Sequence, residues 1–92
     1  MTLLDTFFVK KGEIYKAKFD DITVTVTPQG GDLFECEAKS KSGDGYKTHV
    51  HGADTAARVA VSIALEVATI DLKSAVDTVD EIQTMVHRIA GS

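Results

Sequence analysis

The sequence predicts an α+β fold in a single domain spanning residues 1–92: a four-stranded antiparallel meander with one face covered by a central Ala-rich helix and a C-terminal helix. Residues 13–51 divide into four runs of period-two alternation separated by turn residues. Residues 53–70 are apolar all round except for one narrow polar stripe. Beyond them Leu72, Val76, Val79, Ile82, Val86 and Ile89 recur at spacings of four, three, three, four and three, the period of a helix that buries one side.

The strands predicted are Glu13–Phe19, Ile22–Pro28, Leu33–Lys39 and Tyr46–His51. Alternate side chains of a strand point to opposite faces. One face therefore collects Tyr15, Ala17, Phe19, Ile22, Val24, Val26, Phe34, Cys36, Ala38, Tyr46 and Val50, with Thr48 as its polar exception. The other collects Lys16, Lys18, Thr23, Thr25, Thr27, Glu35, Glu37, Lys39, Lys47, His49 and His51, and no second apolar layer remains to cover it. Residues paired across strands share a face, which limits the registers available. Asp20-Asp21 as a two-residue turn pairs Phe19 with Ile22, Ala17 with Val24 and Tyr15 with Val26, and a loop over Gln29–Leu33 pairs Pro28 with Phe34 and Val26 with Cys36. A five-residue loop over Lys41–Gly45 pairs Lys39 with Lys47, Glu37 with His49 and Glu35 with His51. The outward rows are then Ile14-Thr27-Glu35-His51, Lys16-Thr25-Glu37-His49 and Lys18-Thr23-Lys39-Lys47, the last of which, with Lys16 beside it and Lys41 in the adjoining loop, makes a basic corner.

Before the sheet, Thr2 with Asp5 forms a capping-box pattern that favours a short helix through Phe8, although Thr6–Val9 also suits an edge strand. After it, Asp54 is the expected N-cap of the central helix, on which Thr55, Arg58, Ser62, Glu66 and Thr69 fall within roughly 80° of circumference at 100° per residue. One remaining side of that helix covers the sheet and another receives the last helix, which Ser74 with Asp77 caps and Gly91 ends. The layering expected is sheet, central helix, outer helix; without the last contact, the same apolar surface becomes a dimer interface.

A chain of 92 residues suits one domain, burying roughly 60–65% of the surface its unfolded form exposes. The single cysteine cannot form an internal bridge and no basic-then-apolar leader opens the chain, so the expected setting is the reducing cytoplasm. The run Ala53–Ile70 is apolar at 12 of 18 positions but contains Arg58 and Glu66, which reads as a buried helix and not a membrane span. A net charge of −4 argues against indiscriminate phosphate binding. The charge is uneven: residues 1–52 hold seven lysines and eight acids, residues 53–92 three basic and six acidic residues.

The polar sheet face is the candidate working surface, and Lys16, Lys18, Lys39, Lys41, Lys47 and His49 are its candidate partner-binding residues. The lysines offer charge to phosphate or to an acidic protein surface, and the threonines add neutral hydrogen bonds. No exposed aromatic stands beside them as a stacking platform for bases. His49 and His51, with Glu37 and Glu35 opposite, are ligand types for a divalent ion, yet side chains two apart on a strand commonly only make a face soluble, so no metal is expected. Cys36 points inward while both strand histidines point outward, which separates any thiol from its base. With no nucleophile elbow, phosphate loop, dinucleotide fingerprint or zinc-protease helix, neither catalysis nor a cofactor is expected. Asp77, Asp80 and Glu81 make a solvated acidic face on the last helix.

Two resemblances bear on partners. The run Phe34 to Leu65, with Ser42-Gly43-Asp44-Gly45 and Gly52-Ala53-Asp54-Thr55-Ala56-Ala57-Arg58, resembles the later part of a double-stranded-RNA-binding domain. That family grips phosphates with lysines at the helix entrance, where this chain has Asp54, Thr55 and Arg58, so no RNA-binding residue carries over. Over nearly its whole length, as an acidic one-domain chain with a short antiparallel sheet and an Ala-rich helix, the protein resembles the small phage-encoded anti-CRISPR proteins. That resemblance implies a stoichiometric inhibitor acting in the cytoplasm of a bacterial host on a protein or ribonucleoprotein complex, a CRISPR effector, and it assigns no contact residue or oligomeric state. The lysines of the sheet face support the alternative, a small nucleic-acid or nucleoprotein-binding accessory module with direct nucleic-acid contact, and no membrane partner is expected.

Overall fold

The computed structural model describes residues 2–70 and 76–91. The elements run α1 (Leu3–Phe7), β1 (Val9–Lys11), β2 (Ile14–Phe19), β3 (Ile22–Gly30), β4 (Leu33–Ser40), β5 (Gly45–His51), α2 (Ala53–Ile70) and α3 (Val76–Ala90). The class is α+β with an antiparallel sheet, but the sheet has five strands in the order β1-β2-β3-β4-β5, where four were expected. The extra strand, β1, pairs Val9 with Lys16 and Lys11 with Ile14. It lies later than the Thr6–Val9 alternative. Helix and strand occur in succession, and the capping box forms: the Asp5 amide donates to Thr2 Oγ1 at 3.3 Å and the Thr2 amide to Asp5 Oδ2 at 3.1 Å. A three-residue strand is too short to display alternation, and Gly12, at φ +64, turns it back onto β2.

The pairings across β2, β3 and the first half of β4 are those expected, Phe19 with Ile22, Ala17 with Val24, Tyr15 with Val26, Val26 with Cys36 and Pro28 with Phe34. The β4–β5 register differs by two residues. Lys39 faces Gly45, Glu37 faces Lys47, Glu35 faces His49 and Leu33 faces His51. The cause is the turn. The Gly43 amide donates to the Ser40 carbonyl at 3.1 Å and the Ser40 amide to the Asp44 carbonyl at 2.8 Å, so the chain reverses around Lys41–Gly43. Gly43 at φ +102 makes this shorter loop possible, as in three-residue hairpins that close on a glycine. A slide of two keeps every side chain on its face and changes every partner.

The central helix has the expected bounds but a different start. Gly52, at φ +93, supplies the carbonyl that accepts from the Ala56 amide at 2.9 Å. Asp54 sits inside the first turn, and its Oδ1 accepts instead from the Leu3 amide at 3.0 Å, satisfying an orphan donor of α1. Thr55, Arg58, Ser62, Glu66 and Thr69 are all exposed. Ala56, Ala57, Ala60, Val61, Ile63, Ala64, Val67 and Ala68 are buried, and the small alanines let α2 approach the sheet closely over β3, β4 and β5.

Helix α3 packs on α2 and also reaches β2 and α1, so it lies partly in the same layer as α2 and not wholly outside it. Ile82 and Ile89 are buried, whereas Val76, expected on the apolar side, is 76% exposed. Leu72 and Ser74 lie outside the described residues. The Gly91 amide donates to the His87 carbonyl at 3.0 Å and closes the helix as expected. Thr78 is fully buried and its hydroxyl has no hydrogen-bond partner among the described residues. Such a group bears its desolvation cost without return. Thr78→Val should therefore raise unfolding stability by about 1 kcal/mol in urea titration, and a loss of stability would show that the hydroxyl is satisfied in solution.

Candidate binding surface

No element among the described residues covers the outward sheet face, and pairing assembles it in rows. One row reads Val9, Lys16, Thr25, Glu37 and Lys47, the next Thr27, Glu35 and His49, and the third Lys18, Thr23 and Lys39, ending on Gly45. Placing Lys47 opposite Glu37 instead of Lys39 changes the electrostatics. Lys47 Nζ lies 3.9 Å from Glu35 Oε1 and 3.9 Å from Glu37 Oε2, and His49 Nε2 lies 3.3 Å from Glu35 Oε1. The centre of the face is therefore internally compensated, and Lys47 leaves the basic corner to which the sequence assigned it.

The corner keeps Lys18, Lys39 and Lys41. With Asp20, Asp21, Thr23 and Ser40 they line a shallow recess of about 230 Å³. The two aspartates of the β2–β3 turn temper its charge. Lys41 is tied down at both ends, its amide donating to the Asp21 carbonyl at 3.0 Å and its Nζ 3.8 Å from Asp21 Oδ1. Among the described residues, Lys16, Lys18 and Lys39 have no ion pair, and all three are exposed. Beside them β1 and the start of β2 bring two apolar side chains onto the same face, Val9 at 63% and Ile14 at 40% exposure. Val9 ended the Thr6–Val9 alternative, but its place on this face follows only from its pairing with Lys16. Glu13-Ile14 at a strand start held the only available signal, an apolar residue out of phase with its neighbours.

The histidines separate. His51 Nδ1 lies 2.9 Å from Asp32 Oδ1, and this hydrogen bond holds the Asp32 carboxyl below its ordinary value. His49 keeps to Glu35, so the expected partners Glu37 for His49 and Glu35 for His51 are both replaced. Among the described residues no three His, Cys, Asp or Glu side chains gather as a metal cluster. Cys36 is buried facing α2, its thiol donating to the Ala56 carbonyl at 3.5 Å, with Val26 on one side and Thr48 on the other. Burial, with the Glu35 charge adding to it, pushes the thiol up to about 11, so it is not ionised at neutral pH, and His49 and His51 stand on the opposite face of the sheet. Asp77, Asp80 and Glu81 are exposed on α3. No helix among the described residues is long and apolar enough to cross a membrane. The chain matches no protein-family model, no curated protein and no solved structure.

Proposed function

We propose that this chain is a non-enzymatic binding protein whose polar sheet face docks on an acidic surface of a bacterial CRISPR effector and sterically blocks target nucleic-acid binding. The observation that carries the binding reading is the trio Lys16, Lys18 and Lys39, exposed beside Val9 and Ile14 and without carboxylate partners among the described residues. Exposed charge next to exposed apolar surface offers both steering and buried contact area, the two components of a protein interface. The effector as target rests on the resemblance in size, acidity and layering to phage-encoded anti-CRISPR proteins, which implies the host cytoplasm as its setting. A nucleic-acid-binding accessory module is the second reading, favoured by the lysine–threonine row Lys18-Thr23-Lys39 and opposed by the net charge of −4.

The test mixes purified effectors of the common CRISPR types with labelled target DNA, with and without an excess of the chain. Loss of the effector–DNA complex for one type is the expected result. Inhibition of none would remove the anti-CRISPR assignment. A shift of DNA by the chain alone that fades as salt rises would establish the second reading, because phosphate contacts release counterions.

A further inference from the structure

The sheet ends on β5, which among the described residues has a strand neighbour on one side only. In an antiparallel ladder, residues alternate between those whose backbone groups bond the neighbour and those whose groups point away. The Ser40–Asp44 hydrogen bond sets the phase, so Tyr46, Thr48 and Val50 bond β4 while Lys47 and His49, with Gly45 and His51 at the ends, direct N–H and C=O outward. This edge is seven residues long, and it contains no proline and no register shift. Lysines usually defend such an edge by projecting across it. Here the long polar side chains turn back toward β4: Lys47 to Glu35 and Glu37, His49 to Glu35, and His51 to Asp32 at the start of that strand. On the opposite face Tyr46 is 51% exposed although it belongs to the apolar side.

We propose that β5 pairs antiparallel with β5 of a second copy of this chain, across a two-fold axis at Thr48, so that the two sheets become one. The edge is close to self-complementary about that residue. Tyr46 comes opposite Val50 of the second copy, and Val50 opposite its Tyr46, the aromatic and β-branched combination that stabilises strand pairs. Lys47 comes opposite His49, with each row continuing into a glutamate of β4 on either side. Centring the axis on Lys47 would set two lysines opposite each other, which is unfavourable, and any other centre shortens the overlap. The helices permit it. Helix α2 lies chiefly over β4, and β4 of the two copies would stand three strand spacings apart, about 14 Å, wider than the 8–10 Å of packed helices. Tyr46 and Val50 fill the space between them. This inference does not depend on the proposed function.

The experiment reads mass by light scattering at micromolar to submillimolar protein, and register by cross-linking. The wild-type chain is expected at twice its 9.9 kDa at high concentration. His49→Pro should return it to one chain with unchanged circular dichroism, since it deletes an edge donor that bonds nothing within the protomer. Tyr46→Lys, which leaves the backbone alone, is the companion variant should the proline disturb the fold. Residues directly opposite in a non-hydrogen-bonded pair have Cα atoms about 4.5 Å apart, within disulfide range. Thr48→Cys should therefore oxidise to a covalent dimer at least tenfold faster than Lys47→Cys. Both are made in a Cys36→Ala background, because Cys36 lies opposite Thr48 in the same chain. A wild-type chain that stays at one mass throughout, a dimer that survives both edge variants, or equal cross-linking of the two cysteine variants would overturn the proposal.

Discussion

Ile63→Ala is expected to lower unfolding stability by roughly 2–5 kcal/mol, the range for removing a large aliphatic side chain from a packed interior. Ile63 is 6% exposed on α2, the helix that touches β3, β4, β5, α1 and α3. Shortening it opens a cavity in the helical layer that holds the sheet's apolar face, and a domain with about 5–15 kcal/mol in total can lose a large share of it there. Ile70 on the same helix is 71% exposed, so Ile70→Ala should change stability by about 0.5 kcal/mol or less. Urea titrations of both variants, compared at matched slope, check the difference. Equal costs would mean that α2 presents a different side to the sheet.

The second large effect is on binding. Combining Lys16→Glu, Lys18→Glu and Lys39→Glu should weaken association with the partner about 100-fold or more, near 2.8 kcal/mol, because it replaces three attractive charges by three repulsive ones at an interface rim. The fold should survive it, since all three side chains are exposed and none has an internal ion pair among the described residues. Lys47 is left out of the set: its ammonium lies between Glu35 and Glu37, and a third carboxylate there would perturb the sheet itself. The measurement is the amount of triple variant needed to displace target DNA from the inhibited effector, beside a variant carrying Asp77→Lys, Asp80→Lys and Glu81→Lys on α3. Full activity of the lysine variant with loss in the α3 variant would move the contact surface to the helical side.

These expectations depend unequally on sequence and on structure. Which side of each long strand faces the core was legible because alternation is a parity that holds along every regular stretch of strand; Val24, Val26, Cys36 and Ala38 are buried as the pattern requires. The bounds and polar stripe of α2 were legible for the same kind of reason, since 18 residues sample five turns of one period. What parity cannot resolve is a slide by two. The turn at Ser40–Gly43 chose the register, and with it moved Lys47 from the basic corner to the glutamates and His49 from Glu37 to Glu35. Candidate lysines could be read from the chain, but not which of them another residue of the same chain would occupy.

Short elements and cap partners escaped for a different reason. Val9–Lys11 has too few residues to show a period, and it acquires strand geometry only because β2 stands beside it. Asp54 has the chemistry of an N-cap at the beginning of a helix, and it caps a helix, but the amide it serves is that of Leu3, 51 residues away. Thr78, and not Val76, is buried on α3 because the side facing α2 was fixed by where Ile82 and Ile89 pack. Sequence by itself determined the class of the fold, the apolar face and the solvent exposure of the lysines, all of which follow from local periodicity. Tertiary structure alone decided the fifth strand, the rows of the polar face and the open edge of β5, because each depends on which backbone comes to lie beside which, a contact between residues distant in the chain that no local pattern records.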